Sequence, residues 1–406
     1  MRLHHPAIRL ESLNREKLPR SKGETTMMME RLFQLMKEKN ASDMFFAVNS
    51  PVHIKINGNL IPINQNKLEP ENIRVLLAEI ASPEQMEELD RDNELNMGIS
   101  VPNLGRFRLS AFRQRGSISA VFRFVPATIP PLGELGLPSV LSELIMEKRG
   151  LLLIVGATGS GKSTTIASML DHRNEQRHGH ILTLEDPIEY LFKNKKSIVN
   201  QREIGSDARS FDVALRNSMR QAPDCILIGE IRDKDTMAAA LAYAQSGHLV
   251  LATLHANNSY NALNRIISFY PIENRPALLQ DLSSAVKAIV SQRLVRTKAG
   301  GRRQAAVEIM VNTRYVADLI EKGEIGQIKE AMDKSLSPGS QSFEKALLEL
   351  VQADLITQEE ALANADSATN LLWLINNGPA SQAKEEEAPK PAEPAGPSFT
   401  EFTLDR

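Results

Sequence analysis

One cysteine, Cys225, stands in 406 residues. A single thiol excludes an internal disulfide framework and a multi-cysteine zinc site, and it fits a reducing compartment. Aromatic residues make up 5% of the chain, which leaves few stacking platforms for single-stranded nucleic acid. Neither sign of charge is in surplus: 48 Lys and Arg face 50 Asp and Glu, a net charge of −2. A dedicated nucleic-acid binder normally carries a basic excess to meet phosphates, so no nucleic-acid partner is expected. No apolar run approaches the about 18 residues of a membrane-spanning helix. Residues 1–26 mix Arg2, Arg9, Arg15, Lys17 and Arg20 with Glu11, Glu16 and Glu24 and hold no continuous apolar stretch, so they do not read as a signal peptide. A cytoplasmic chain is expected, with no direct membrane insertion and with a partner supplying any membrane contact.

What is present is ordinary globular material, 42% hydrophobic and 24% charged, in a length that predicts two or three domains. Residues 1–26 read as an unstructured leader, with one of Met27, Met28 and Met29 as a candidate start. Residues 27–125 read as one mixed α/β domain. Leu32, Phe33, Leu35 and Met36 form the apolar stripe of a first helix. Val52–Ile56 alternates like a half-buried strand, and Asn57-Gly58-Asn59 turns it into Leu60–Ile63. A helix is expected near Glu71–Ile80, and strands over Arg106–Arg113 and Ser117–Phe124. Residues 126–138 hold four prolines and two glycines and read as a linker.

Residues 139–377 then alternate strands with helices. Leu151–Val155, His180–Leu184, Cys225–Ile228 and Leu249–Leu254 are short apolar runs, as buried parallel strands require. That alternation predicts a doubly wound α/β sheet, helical beyond about residue 313. Residues 378–406 are rich in Pro, Glu and Ala and read as a disordered tail.

The strongest chemical signal is Gly156-Ala157-Thr158-Gly159-Ser160-Gly161-Lys162-Ser163, a full match to G-x-x-x-x-G-K-[ST] placed directly after a strand and before a helix. Such a loop turns backbone amides inward to cradle phosphate oxygens. Lys162 would reach the outer phosphates, Ser163 would ligate Mg²⁺, and Thr164 would follow at the helix start. Two further strands end in acids. Ile226–Glu230 fits a segment that positions Mg²⁺ and its water through Glu230. His180–Glu189 ends in Glu185, Asp186 and Glu189, which could hold metal, orient water, or simply cap the next turn. His255 ends a fourth strand and could sense the outer phosphate; like His248, it could equally be a packed or surface histidine. Arg106, Arg108, Arg113, Arg115 and Arg123 fall on two adjacent strands, either as a solvated basic face or as arginine fingers.

At this point Met219-Arg-Gln-Ala-Pro-Asp-Cys-Ile-Leu-Ile-Gly-Glu-Ile-Arg-Asp233 resembles the signature of the type II/IV secretion ATPases. The phosphate loop, the Glu185-Asp-Pro-Ile-Glu189 box and the Gly247-His248 to Thr253-Leu-His255 box follow in that family's order. The likeness runs from about Met29 to Asn377 and includes Ala41-Ser-Asp43. Within the family the chain resembles the PilT/PilU retraction branch, because the four-cysteine insertion of the assembly ATPases is absent. Gln292–Arg296, Leu319–Lys322, Ser337–Gln341 and Trp373–Asn377 are most similar to its PilU side. Where PilT carries Ala-Ile-Arg-Asn-Leu-Ile-Arg-Glu, this chain reads Tyr315-Val-Ala-Asp-Leu-Ile-Glu321.

The resemblance implies a PAS-like N-terminal domain, a RecA-like P-loop domain with C-terminal helices, and a homo-hexameric ring that binds ATP and Mg²⁺ in the cleft between domains. It implies that Glu185 and Glu230 serve hydrolysis and Mg²⁺ coordination, that His248 and His255 form a histidine box, and that Arg108 and Arg123 are arginine fingers. The implied work is type IV pilus retraction, with an inner-membrane platform protein as dock. The altered 315–321 stretch favours an accessory role beside a PilT-like ATPase. The alternative is a non-catalytic ATP-binding scaffold.

Overall fold

The computed structural model describes residues 27–377 apart from 57, 126, 127, 302 and 335–338. The expected leader, tail, Asn57, Pro126, Ala127 and Ser337 therefore lie outside the described residues. The chain divides between Val125 and Pro126 into two compact units.

The first unit is an antiparallel sheet with helices. Its elements are α1 (Met28–Glu38), β1 (Asp43–Phe46), β2 (His53–Ile56), β3 (Asn59–Pro62), α2 (Pro70–Ala78), α3 (Pro83–Asp92), β4 (Glu94–Val101), β5 (Gly105–Gln114) and β6 (Ser117–Val125). The strand order is β3-β2-β1-β6-β5-β4. The apolar stripe of α1 is buried at Met29, Leu32, Phe33 and Met36. Phe33 stacks on Phe107 of β5 with ring centroids 4.1 Å apart and meets Phe122 of β6 edge-on, a geometry worth about 1 kcal/mol per pair beyond the area buried. Ser82 starts α3 through a reciprocal cap with Gln85, and Pro83 occupies the first turn, where its missing N–H costs nothing. β1 and β4 were not expected: β1 has four residues and β4 mixes buried and exposed positions without clean alternation.

The second unit is a seven-stranded sheet covered on both faces. It comprises α4 (Val140–Leu144), β7 (Gly150–Val155), α5 (Lys162–Gln176), β8 (Gly179–Glu185), β9 (Ser197–Glu203), α6 (Phe211–Ser218), β10 (Cys225–Ile228), α7 (Lys234–Gln245), β11 (Leu249–Leu254), α8 (Ser259–Ser268), α9 (Arg275–Ala285), β12 (Val286–Arg296), β13 (Arg303–Val311), α10 (Arg314–Glu321), α11 (Ile328–Lys334), α12 (Phe343–Gln352), α13 (Gln358–Asn364) and α14 (Ala368–Asn377). The order is β13-β12-β7-β11-β10-β8-β9. Every residue of β7 is buried. Leu151, Leu153 and Val155 face the core under α6 to α10, and Leu152 and Ile154 face the core under α4 and α5.

The expected mixed α/β fold, with an N-terminal antiparallel sheet and a largely parallel second sheet, is the observed one. Two features depart from a doubly wound parallel sheet with helical crossovers. β13 runs antiparallel to β12 at one edge. At the other, β8 and β9 are parallel neighbours joined by residues 186–196 without a helix. Contacts with α5 fix that strap instead: Asn174 binds Lys193 O and Lys195 N, and Lys195 Nζ lies 2.7 Å from Asp171 and 2.6 Å from Glu175. Much of the proline-rich stretch also packs on this unit. Ser168 of α5 donates to Pro130 O at 2.7 Å, and Leu132 and Leu137 join the α4–α5 core. Its leucines find an apolar surface, so from Pro130 onward it is not a free tether.

Candidate functional site

The loop Gly156–Gly161 leaves the end of β7 and enters α5. Gly156 and Gly161 hold φ of 151° and 92°, where L side chains are strained. A Cβ on Gly156 would stand 2.5 Å from Ser160 Oγ and 2.6 Å from Gln292 O, and one on Gly161 would stand 2.7 Å from Gln292 Nε2. The loop thus wraps tightly against β12. Thr165 Oγ1 donates to Gln292 Oε1 at 2.8 Å and holds that side chain in place.

The loop is chemically matched to an anion. Helix α5 opens with no side-chain cap and no acid in its first turn, so its N–H groups and dipole remain available. Among the described residues Ser160 Oγ is buried without a hydrogen-bond partner, and Ser160 lines a cavity of about 320 Å³ that runs along the loop beside Asn257, Arg293 and Asn364. Lys162 Nζ donates to Gly156 O and Ala157 O, both at 2.9 Å. Burial pushes the Lys162 ammonium below its ordinary pKa, while Glu230 and Glu189 pull it back up. A phosphate chain fits this donor set.

Three strand ends are laced together beside the loop. Gly229 N donates to Leu184 O at 2.8 Å, Thr253 Oγ1 donates to Gly229 O at 2.5 Å, and Ile231 N donates to Thr253 O at 2.9 Å. This lacing brings Glu185, Glu230 and His255 together at the C-terminal ends of neighbouring parallel strands. Glu185 is buried, with 8% of its surface exposed. Its Oε1 receives Thr183 Oγ1 at 2.6 Å and Gln201 Nε2 at 3.3 Å. Burial raises its pKa above the usual carboxylate value, against the pull of those donors. Glu230 Oε1 lies 3.2 Å from His255 Nε2, and its Oε2 receives Arg232 Nε at 2.6 Å. Arg232 also reaches Asp186 at 3.6 Å.

A family model described as type II/IV secretion system protein matches residues 20–346. The chain belongs to this family. It is 46% identical over 357 residues to the type IV pilus ATPase PilU of Pseudomonas aeruginosa, covering 88% of this chain and 94% of that one. It is 37% identical to the type IV pilus retraction ATPase PilT of the same organism, covering 85% of this chain and all of that one. Among solved structures, the pilus retraction motor PilT with bound ADP superposes with a TM-score of 0.78 at 37% identity, over 84% of this chain and 98% of that one.

Not every residue read from the sequence falls in this cluster. His248 precedes β11 at the opposite end of the strand, about 23 Å from His255 at ~3.3 Å per residue. Its Nδ1 lies 3.2 Å from Tyr243 O and its ring packs edge-on against Tyr243, a packed histidine. Arg108 and Arg123 belong to the first unit. They are direct partners across β5 and β6, and Arg123 Nε donates to buried Asp43 at 2.8 Å. Cys225 is buried, and burial pushes its thiol up to about 11, so it is unreactive. Thr183, Tyr190, Gln201, Arg232 and Gln292 also join the site. Gln201 and Gln292 lie on strands that no apolar run announced, and Arg232 sits inside the signature without a motif of its own.

Proposed function

We propose that this chain is an ATP-hydrolysing motor that powers or assists type IV pilus retraction. It works in a homo-hexameric ring, as an accessory to a PilT-like retraction ATPase, docked on an inner-membrane platform protein. The observation that carries the reading is the phosphate-matched loop with its buried Ser160 hydroxyl, unpartnered among the described residues, flanked by two strand-end carboxylates in different environments. Family membership and the likeness to PilU and PilT supply the biological setting.

ATP is the substrate. The amides of Gly156–Ser163 and the Lys162 ammonium bind its phosphates, and Thr164 supports the first turn of α5. Ser163, and Glu230 through water, would hold Mg²⁺, which neutralises charge on the phosphates when bound. Glu185 takes the proton of the attacking water, since burial raises its basicity toward the working pH. His255 and Arg232 hold Glu230 in orientation. Arg108 and Arg123 act as arginine fingers, with Asp43 aiming the second.

Steady-state ATP turnover by the purified full chain tests the enzyme assignment, and Lys162→Ala must abolish it. A chain without turnover is the scaffold instead. Imaging of fluorescent pili in cells where this chain is the sole retraction ATPase tests the accessory role. Static pili that retract again once a PilT-like partner returns support it. Steady autonomous retraction refutes it.

A further inference from the structure

We propose that Gln201 and Tyr190 form a clamp that positions Glu185 against the first turn of α5, and that both are positioning residues for the hydrolysis proposed above. The inference rests on that reading of Glu185.

Residues 186–196 connect two parallel strands without regular structure. Side chains of β9 hold the front of this strap. Gln201 Oε1 accepts from Phe192 N at 2.9 Å, and its Nε2 donates to Tyr190 O at 2.8 Å and to Glu185 Oε1 at 3.3 Å. One donor and two acceptors around a single amide admit only one orientation of it. Two residues along β9, Glu203 Oε2 accepts from Ile188 N at 3.0 Å. The strap then carries the phenol of Tyr190 to Thr164 Oγ1, at 2.9 Å, in the residue after Ser163. A continuous chain of contacts therefore runs from the buried carboxylate through Gln201 and Tyr190 to the helix that follows the phosphate loop. Thr183 and Gln201 both donate to Oε1 of Glu185 and so fix the carboxylate plane. An edge strand outside every recognised motif thereby sets how a proposed base faces a proposed phosphate site. Misplacement of that kind by 1 Å lowers a rate by about 10²-fold.

The charged groups on the elements around Glu185 include Asp186 and Glu189 on the strap, Arg202 and Glu203 on β9, Glu230 and Arg232 after β10, and Lys162 on α5. Burial raises the Glu185 pKa; Thr183, Gln201 and the backbone N–H of Glu189 oppose that rise, and the Glu189 charge adds to it. Loss of the Gln201 donor therefore moves the acid limb of kcat to higher pH. A negative charge at that position moves it further.

The test uses the full chain and the variants Gln201→Leu, Gln201→Glu and Tyr190→Phe, with kcat, KM for ATP, the pH profile of kcat and binding of a fluorescent ADP analogue as readouts. The expected result is a kcat lowered about 10-fold or more in both Gln201 variants. KM and analogue affinity should stay within about twofold. The acid limb should move upward in the order wild type, Leu, Glu. Tyr190→Phe should lower kcat without moving the limb. An unmoved limb with kcat within about twofold of wild type in the Gln201 variants overturns the clamp. If Gln201→Leu fails to fold, Gln201→Glu, which keeps the Phe192 contact, and Tyr190→Phe decide. Full turnover in Glu185→Gln would instead remove the underlying reading of Glu185.

Discussion

His255 meets Glu230 across the ends of two neighbouring parallel strands, with Nε2 3.2 Å from Oε1. The lacing of Gly229 to Thr253 sets that distance, because it locks the residues after β10 to the end of β11. In His255→Ala, Glu230 keeps Arg232 as its remaining partner and swings toward it. The expected outcome is a kcat lower by about 10- to 100-fold with a smaller change in KM, checked by steady-state ATPase kinetics.

Gly161→Ala should cripple the loop without replacing any side chain of the site. The residue sits at φ 92°, and its new Cβ would stand 2.7 Å from Gln292 Nε2. Thr165 holds Gln292 in place, so relief has to come from the loop itself. A cost of about 1–3 kcal/mol in stability is expected. Titration with a fluorescent ADP analogue should show affinity lower by about tenfold or more.

Phe33→Ala should destabilise the first unit by about 3–5 kcal/mol. Phe33 is fully buried and contacts the rings of both Phe107 and Phe122. The cavity would lie between α1 and the sheet. Chemical denaturation of the variant, followed by circular dichroism, gives the value. A change below about 1 kcal/mol would contradict the packing described.

A pH effect is expected at Glu308 on β13. This carboxylate is buried and accepts from Ser259 N at 2.7 Å and from Ser291 Oγ at 3.0 Å. Burial holds its proton to a higher pH than the ordinary 4.5. The folded state therefore binds more protons than the unfolded state above pH 4.5, and stability falls as pH rises through the raised folded pKa. Glu308→Gln removes one titrating group and should flatten the fall of the unfolding midpoint that begins above pH 4.5. Glu185, raised in the same direction, keeps part of the slope.

Much of the site was legible before any coordinates. The phosphate loop is contiguous in sequence, so its spacing alone exposes Gly156, Lys162 and Ser163. β7, β10 and β11 announced themselves as unbroken apolar runs because both of their faces are buried. Glu185, Glu230 and His255 were legible as strand-end residues. His248 precedes the strand that His255 ends, and what only the structure shows is that His248 packs against Tyr243.

The supporting residues were not legible, for a different reason. β9 and the β12–β13 pair carry polar residues at positions where they meet the strap, the loop and the C-terminal helices, so their hydrophobic pattern is broken where they matter most. Arg293 is an example: it donates to Asn257 O at 3.2 Å and lies over the Phe343 ring, 3.9 Å from its centroid.

By itself, then, the sequence determined the mixed α/β architecture, the phosphate loop and the acids that end its strands, because hydrophobic period and glycine placement act over a few neighbouring residues. Only the tertiary structure decided which of those acids is buried, which histidine reaches Glu230 and how Gln201 and Gln292 brace the site. Those outcomes depend on strand order and cross-strand register, which join residues far apart in the chain through hydrogen bonds that no local pattern encodes.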